Sequence, residues 1–326
     1  TEYYCNVSYT VPGTNITLHC WSTVPHGAET LTEAVGNSCN PVFVQLATGI
    51  GIDKFYNYMA TFGITGKTGI DFPGEGSAIL QSKESAGPVG LATIGFGQGV
   101  AVTPIQLITA ISSFGNEGKL LKPRLVKELR DSDGNTVEKF ETEVVRQVVS
   151  KETAEEICDI MQFVVDEGGG GAAKVDGYKV GAKTGTADKV KEDGTGYSGD
   201  TYSSCIAMAP MDDPQITVLL IVDSPQGVKY GSTTAAPGVH QILEDSLRYL
   251  NISPDEESQK EADAEKVEVP DVTGQSASNA IGILAGDSLD YDTDKEAAAE
   301  SDFIVTKQYP EAGTKVKKGS KIYLYK

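Results

Sequence analysis

Residues 178–190 read YKVGAKTGTADKV, and this stretch decides which kind of fold the chain adopts. The alternating apolar and polar positions of residues 178–187 (YKVGAKTGTA) predict a β-strand, and residues 202–210 (YSSCIAMAP) and 215–223 (QITVLLIVD) predict two more strands. The last of these is apolar at almost every position, so both faces of the resulting sheet must be covered. The apolar spacing of residues 150–167 and 238–250 predicts the helices that cover it.

Helix signals occur in two further regions. Thr103 is a suitable N-cap, Pro104 fits the first turn, and Gln106 stands at the capping-box position, so a helix should begin there. Residues 26–64 are predicted to be mostly helical, with Pro41 at a helix start. These elements predict an α/β chain of the α+β type, in which helices cover an antiparallel sheet.

The composition changes towards the end of the chain. Residues 251–266 are acidic and contain no aromatic residue, which predicts a solvated linker. This linker would separate a first domain, residues 1–250, from a small α+β domain, residues 267–326, built of a turn, a helix and short strands. A length of 326 residues also suggests about two domains.

The charge balance excludes one class of partner. With 27 basic and 46 acidic residues the net charge is −19, so the surface would repel the phosphates of nucleic acid and no nucleic-acid binding is expected. The longest apolar run, at 216–222, is too short to span a bilayer, which needs about 20 residues.

The cysteines leave a question open. Cys5 and Cys20 flank two alternating runs around Pro12 and Gly13, which predict a β-hairpin whose arms bring the two sulfurs close together. The pair is either a disulfide, which implies an extracytoplasmic location, or two reduced thiols in a cytosolic protein. No set of cysteines and histidines has the spacing of a zinc site, so the sequence predicts no metal site.

The K-T-G motif at 183–185 has two chemical interpretations. A phosphate-binding loop needs glycine directly before the lysine and a helix after it, whereas Ala182 intervenes here and the segment reads as a strand. Acyl-transfer enzymes pair K-T-G with an S-x-N element, and residues 38–40 form such an element directly before a predicted helix. The two motifs together indicate one wall of an acyl-transfer site.

Seven stretches in all carry a family resemblance. They are CW, HG, TLTEAVGNSCNPVF, FGITGKTGIDFPGE, IGFGQGVAVTPIQL, VGAKTGTA and STTAAPGV, in family order between residues 5 and 252. The chain therefore resembles the C-terminal part of a class B penicillin-binding protein, a D-Ala-D-Ala transpeptidase of bacterial cell-wall synthesis. Residues 267–326 resemble one PASTA module. The resemblance implies the fold shared by penicillin-binding proteins and β-lactamases, without a cofactor.

The resemblance assigns roles to the S-x-N motif. Ser38 would be a catalytic residue that relays a proton to the departing amine. Asn40, also catalytic, would hydrogen-bond the substrate backbone and the general-base lysine. Cys39, at the variable middle position, is expected to be a buried, inert thiol, because nothing nearby in the sequence depresses its pKa.

The K-T-G strand would bind the substrate. By resemblance, Lys183 is a catalytic residue that supplies positive charge near the terminal carboxylate of the peptide. Thr184 and Thr186 would offer hydroxyls to the same carboxylate, and the Thr186 N–H would form half of the oxyanion hole. Gly185 has no side chain, so a substrate strand can lie close against it.

The nucleophile of the family is absent from these 326 residues. It belongs to an S-x-x-K motif, and no serine here has a lysine three positions later. We expect that the chain lacks the N-terminal part of the transpeptidase domain, which would carry this motif, and that it is inactive alone. The missing N-terminal segment of the same protein would then be a partner of this chain.

Three alternatives remain open on the sequence. A relative of the serine β-lactamases and a β-lactam sensor would share both motifs, although the PASTA-like tail argues against each. The third alternative is a non-catalytic protein that binds peptidoglycan.

The leading interpretation also implies a location and partners. The chain would act at the extracytoplasmic face of the bacterial membrane, where an N-terminal helix outside these residues would anchor the full-length protein. There it would bind the D-Ala-D-Ala ends of peptidoglycan stem peptides, β-lactams and other cell-wall synthesis proteins. The same location favours the disulfide between Cys5 and Cys20.

Overall fold

The computed structural model describes residues 2–191, 193, 195–255, 258, 260, 264–293 and 302–326. The chain divides into two compact units, Thr1–Ser253 and Pro254–Lys326. Much of the segment predicted as an acidic linker, residues 256, 257, 259 and 261–263, lies outside the described residues. No helix of the described ranges is both long enough and apolar enough to cross a membrane.

The first unit alternates helices and short strands before its main sheet. Its strands are β1 (Tyr3–Cys5), β2 (Ser8–Thr10), β3 (Thr17–His19), β4 (Gly27–Glu29), β5 (Ile79–Leu80), β6 (Val100–Ala101), β7 (Lys119–Leu121), β8 (Glu128–Arg130), β9 (Thr136–Lys139), β10 (Val144–Gln147), β11 (Gly181–Val190), β12 (Tyr197–Ala209) and β13 (Ile216–Asp223). Its helices are α1 (Leu31–Gly36), α2 (Asn40–Ile50), α3 (Ile52–Thr61), α4 (Lys83–Gly95), α5 (Pro104–Ser112), α6 (Lys151–Asp166), α7 (Gly231–Thr234) and α8 (Ala236–Tyr249). The helices predicted from the sequence are all present.

The main sheet is antiparallel, with the strand order β11-β12-β13. In its register Lys183 lies opposite Ile206, which in turn lies opposite Leu219. The three predicted strands are confirmed. β11 begins three residues later than predicted and continues to Val190, and β12 begins five residues earlier, at Tyr197, because the polar ends of both strands continue the ladder as far as the pair Val190 and Tyr197. Within the described residues β11 is an edge strand, so one row of its backbone N–H and C=O groups has no strand partner.

Both faces of this sheet are covered, as the apolar strand β13 requires. α8 packs on one face, where the buried side chains of Val239, Leu243 and Leu247 cluster with small residues of the sheet such as Ala207. α5 and α6 cover the other face with a sulfur-rich cluster that includes Met208. Burial of each large apolar side chain contributes about 1.5–3 kcal/mol, so these two layers hold β11 in place.

The hairpin predicted between Cys5 and Cys20 is present, with Ser8 of β2 opposite His19 of β3. Of the two states that the sequence leaves open, this structure has the reduced one, with Cys5 and Cys20 both free thiols. Their sulfurs do come close, but Cys39 and His26 join them, and the four ligand atoms lie within 4.8 Å of one another. The hairpin alone brings two sulfurs together, whereas the complete fold packs a third thiol and an imidazole against them.

The second unit is a small α+β domain. Its elements are β14 (Lys266–Glu268), α9 (Ala277–Gly286), β15 (Asp290–Thr293), β16 (Lys307–Tyr309), β17 (Lys315–Lys317) and β18 (Lys321–Tyr325). β18 lies between β15, to which it is parallel, and the antiparallel β16. Leu284, Ile322 and Leu324 are fully buried in its core. The helix and short strands predicted for the tail are therefore confirmed.

The capping box predicted at the start of α5 is confirmed, and it also anchors a neighbouring segment. Gln106 Oε1 accepts a hydrogen bond from the Thr103 N–H at 2.9 Å, and Thr103 Oγ1 accepts from the Gln106 N–H at 3.2 Å. The side chain of Gln106 is only 1% exposed, and its Nε2 donates to the carbonyl oxygens of Ile64 and Gly66. Gln106 therefore joins α5 to the segment that follows α3.

We expect Gln106→Ala to lower the free energy of unfolding of the first unit by about 1–3 kcal/mol, because the buried amide of Gln106 and its hydrogen bonds to Ile64, Gly66 and the Thr103 N–H are lost. Chemical denaturation followed by circular dichroism measures the change. Gln241→Ala, at an exposed position of α8, is the control and should change stability by less than about 0.5 kcal/mol. Equal effects of the two substitutions would contradict this role of Gln106.

Candidate active site

The K-T-G motif lies in the first half of the edge strand β11. Side chains alternate along a strand, so Lys183 points to one face and Thr184 and Thr186 to the other. β12 fixes the motif from the opposite edge, with Thr184 opposite Cys205 and Gly185 opposite Ser204. A ligand that lies along the free edge of β11 can therefore reach groups on both faces.

Ser38 is positioned by the turn between α1 and α2. α1 ends at Gly36, and α2 begins at Asn40 with Cys39 as its N-cap. Ser38 has a φ of 50°, in the left-handed region that residues other than glycine rarely adopt. Its N–H donates to the carbonyl oxygen of Val35 at 3.1 Å, so the end of α1 holds the serine in this conformation.

Close glycine contacts hold this turn against the end of α6. The N–H of Gly169 donates to the carbonyl oxygen of Gly36 at 3.2 Å. A Cβ atom on Gly36 would lie 2.9 Å from Cε1 of Phe163, and one on Gly168 would lie 2.9 Å from the Cα of Gly36. A side chain at either glycine would push the S-x-N turn away from α6.

Lys183 and Ser38 meet although 145 positions separate them in the chain. The Lys183 Nζ donates to Ser38 Oγ at 2.9 Å and to the carbonyl oxygen of Thr184 at 2.9 Å. Burial lowers the pKa of Lys183 to about 8. In the described part of the chain no carboxylate pairs with this ammonium, so an anionic ligand would supply the partner that it lacks.

The other predicted residues lie around this contact. Asn40 is the first residue of α2, and its Nδ2 donates to the carbonyl oxygen of His19 at 3.2 Å. The Thr186 Oγ1 accepts from the Gly231 N–H at 3.1 Å, which leaves the hydroxyl hydrogen free to be donated to a ligand. Cys39 is fully buried, as expected, and burial raises the pKa of its thiol.

Gly231, which supports the predicted Gly185, was missed by the sequence analysis. A Cβ atom on Gly185 would lie 2.7 Å from Ser204 Oγ, and one on Gly231 would lie 2.5 Å from the carbonyl oxygen of Gly185 and clash with that of Ser204. α7 therefore packs with its backbone directly against β11 and β12. The stretch STTAAPGV directly follows Gly231 and is the signal that would have found this contact.

Glu29, at the end of β4, was also missed. Its side chain is 2% exposed, and Oε1 accepts from the Asn37 Nδ2 at 2.8 Å, directly before Ser38. Oε2 is buried and, among the residues that the structure describes, has no hydrogen-bond partner. No sequence signal marks this residue, because a single glutamate in a short strand is ordinarily exposed.

Comparison with known protein families agrees with this geometry. Residues 4–244 match the transpeptidase domain of the penicillin-binding proteins. The chain belongs to the penicillin-binding-protein transpeptidase family. Residues 267–326 match the PASTA domain, so the resemblance of the tail is confirmed as well.

Two curated penicillin-binding-protein relatives illustrate the match. Stage V sporulation protein D of Bacillus subtilis is 44% identical over 314 residues, which cover 94% of this chain and 47% of that protein. Peptidoglycan D,D-transpeptidase FtsI of Escherichia coli is 31% identical over 228 residues, which cover 69% of this chain and 37% of that protein. The chain thus spans less than half the length of these two relatives.

Solved structures of penicillin-binding-protein domains have the same fold. Penicillin-binding protein 3 from Mycobacterium tuberculosis, in complex with ampicillin, superposes with a TM-score of 0.71 at 25% identity, over 78% of this chain and 58% of that one. An Atopobium parvulum protein described as a putative peptidoglycan glycosyltransferase gives a TM-score of 0.68 at 28% identity, again over 78% of this chain and 58% of that one. The transpeptidase fold expected from the sequence is confirmed.

The buried lysine predicts a specific pH dependence. The pKa of Lys183 falls from 10.5 to about 8 on folding, so between these values the folded chain binds fewer protons than the unfolded chain. Between pH 8 and pH 10.5 the free energy of unfolding of the wild type should therefore rise by about 1–3 kcal/mol relative to that of Lys183→Met. Below pH 8 the difference between the two proteins should be constant. Chemical denaturation of the wild type and of Lys183→Met at a series of pH values measures the two free energies of unfolding.

Lys189→Met on the same strand is the control for this prediction. The Asp223 carboxylate, which hydrogen-bonds Lys189, raises the pKa of that lysine above 10.5, so its contribution is fully present below that pH. The difference between wild type and Lys189→Met should not change between pH 8 and pH 10.5. If the difference in free energy of unfolding between wild type and Lys183→Met is also independent of pH in this range, the lysine is not buried in its charged form.

Proposed function

We propose that this penicillin-binding protein is an acyl-serine D-Ala-D-Ala transpeptidase that cross-links the stem peptides of peptidoglycan. The observation that carries the proposal is the 2.9 Å hydrogen bond from Lys183 Nζ to Ser38 Oγ, beside the free edge of β11. The name of the FtsI relative, a peptidoglycan D,D-transpeptidase, supports the same reaction.

The substrate binds along the free edge of β11 as an added strand. Backbone hydrogen bonds align such a peptide, and the bare Gly185 lets it approach closely. Its terminal carboxylate accepts hydrogen bonds from the Lys183 ammonium and from the hydroxyls of Thr184 and Thr186. Because Lys183 has no carboxylate partner within the described residues, the substrate supplies the anion that offsets the burial of this charge.

The reaction proceeds through an ester on a serine. The serine oxygen attacks the carbonyl carbon of the penultimate D-Ala, while its proton passes to a lysine base. The carbon–nitrogen bond then breaks, and the terminal D-Ala leaves as an amine after it receives a proton through Ser38. An amine of a second stem peptide attacks the ester, which forms the cross-link and restores the serine hydroxyl. Asn40 holds the peptide backbone, and the Thr186 N–H stabilises the oxyanion.

This reaction needs a nucleophile that these residues do not contain. No serine among the 326 residues has a lysine three positions later, so the proposal requires an S-x-x-K segment from outside them. β-Lactams carry both a reactive carbonyl and a carboxylate, and we propose that they acylate the same serine. Peptidoglycan lies outside the cytoplasmic membrane, and we propose that the protein works there together with other cell-wall synthesis proteins.

The carboxylate contact can be tested with two peptides. An N-acetylated peptide that ends in D-Ala-D-Ala should bind to the 326-residue chain about ten- to a hundredfold more tightly than the same peptide with a C-terminal amide. Lys183→Met should remove this preference, whereas Lys189→Met, at the far end of β11, should keep it. Titrations followed by NMR measure all the affinities. An amide that binds as tightly as the acid would contradict the assignment of Lys183.

The location of the nucleophile can be tested with penicillin and intact-mass measurement. We expect the 326-residue chain to gain no stoichiometric adduct, because it lacks S-x-x-K. A longer form of the protein that includes such a segment should gain one adduct in the folded state and none after denaturation. An adduct on the folded 326-residue chain would mean that another residue attacks. No adduct on the longer form would contradict the proposed reaction.

A further inference from the structure

A second group of reactive side chains lies directly behind the S-x-N turn. Cys5, Cys20, His26 and Cys39 place their sulfur and nitrogen atoms within 4.8 Å of one another. Cys5 ends β1, Cys20 follows β3, His26 precedes β4, and Cys39 is the N-cap of α2. The acyl-transfer chemistry proposed above uses none of these four side chains.

We propose that these three cysteines and one histidine bind one zinc ion, in a site hereafter called the Cys3His site. Zinc in structural sites is held tetrahedrally by cysteine sulfurs at about 2.3 Å and histidine nitrogens at about 2.0–2.1 Å. Such a tetrahedron has edges of about 3.5–3.8 Å. The Cys20 Sγ already lies 3.8 Å from the His26 Nδ1, and no pair of ligand atoms is more than about 1 Å beyond the ideal edge.

The surroundings of the Cys3His site favour a cation. Glu29 is 2% exposed, and its Oε2, the buried oxygen without a hydrogen-bond partner, lies 3.9 Å from the His26 Nδ1. A buried carboxylate oxygen without a donor is costly, and a nearby metal ion supplies the positive charge that it lacks. The N-terminus of the eleven-residue helix α2 places a partial positive charge beside the sulfur of Cys39, which favours the thiolate form that binds a metal ion.

The Cys3His site has the character of a structural metal centre rather than a catalytic one. Cys5 and Cys39 are fully buried, and the side chain of His26 is 13% exposed. Four protein ligands complete the coordination of zinc and leave no position for a substrate or a reactive water. The thiols lose their protons when the metal binds, because a coordinating thiol is deprotonated.

The ligands explain why the sequence analysis predicts no metal site. Zinc ligands usually occur as pairs of cysteines or histidines a few residues apart, and the chain has no such pairs. Here the four ligands come from four separate segments. The pairing of β1 with β4, which sets Cys5 opposite Gly27, brings Cys5 to His26, and the packing of α2 on β1 and β3 adds Cys39 and Cys20. No local sequence pattern therefore predicts that these four side chains lie together.

Because Cys39 is part of the S-x-N motif, metal binding at Cys39 would stabilise the S-x-N turn. Cys39 lies between Ser38 and Asn40, so its coordination would anchor the backbone of the S-x-N turn to the hairpin and to the β1–β4 pair. Asn40 makes a second tie to the hairpin through its bond to the carbonyl oxygen of His19 at 3.2 Å. Zinc binding should therefore reduce the opening of this turn even in the absence of any peptide or β-lactam.

Metal uptake by the reduced chain tests the proposal. The 326-residue chain, reduced and freed of metal with a chelator, should bind one Zn²⁺ or one Co²⁺, as counted by elemental mass spectrometry. Bound Co²⁺ should show the visible bands of tetrahedral coordination and the sulfur-to-metal charge transfer of several thiolates. Hydrogen exchange should slow on zinc binding in the segment that contains residues 36–42.

Variants separate the Cys3His site from general thiol binding. Cys5→Ser, Cys39→Ser and His26→Gln should each weaken Co²⁺ binding by at least about a hundredfold, and Glu29→Gln, which removes no ligand, by about ten- to a hundredfold. Cys158→Ser changes a buried thiol outside the site and should bind the metal like the wild type. Circular dichroism of each metal-free variant verifies that it is folded.

Two results would overturn the proposal. One is a reduced, folded wild-type chain that takes up no more metal than the Cys39→Ser variant. The other is a Co²⁺ complex without thiolate charge transfer, or one that Cys158→Ser removes. If no metal binds, intact-mass measurement without reductant shows whether two of the sulfurs instead form a disulfide, by the loss of two hydrogens.

Discussion

A largely buried ammonium that no carboxylate of the described residues pairs with is the constraint on which the rest of the site depends. Lys183 keeps its charge at the cost of a lowered pKa, and its two hydrogen bonds go to neutral oxygens, those of Ser38 and Thr184. Neutral oxygens solvate an ammonium less well than a carboxylate does, so the pocket keeps a preference for an anion. A carboxylate in the same place would remove this preference, and with it the reason for a peptide terminus to bind.

This arrangement requires rigid backbone on both sides of the contact. On one side, α8 and the sulfur-rich cluster hold β11 from its two faces, and Gly231 lets α7 rest on the backbone of Gly185. On the other side, Gly36 and Gly168 let the S-x-N turn contact the end of α6. In each case a glycine allows one backbone to touch another, and backbone contacts move less than contacts between long side chains do.

The sequence predicted those features that depend on short stretches of chain. The alternation in β11, the apolar run of β13 and the cap at Thr103 are all local patterns, and the elements that they predict are present in the structure. What it could not predict depends on distant segments that meet. The left-handed φ of Ser38, the burial of Glu29 and the gathering of three thiols rather than two all follow from tertiary packing.

The S-x-N turn combines a strained local backbone with tertiary contacts that hold it in place. Ser38 adopts a conformation that costs of order 1–3 kcal/mol for a residue other than glycine, so the turn persists only if its surroundings over-determine it. Three separate attachments do so: the end of α1 through Val35, the glycine contact with α6, and the packing of Cys39 among the side chains behind it. An error of about 1 Å in a reacting group costs an acyl-transfer enzyme much of its rate. The residues behind the turn therefore bear on the reaction proposed for Ser38 as directly as the residues along the free edge of β11 do.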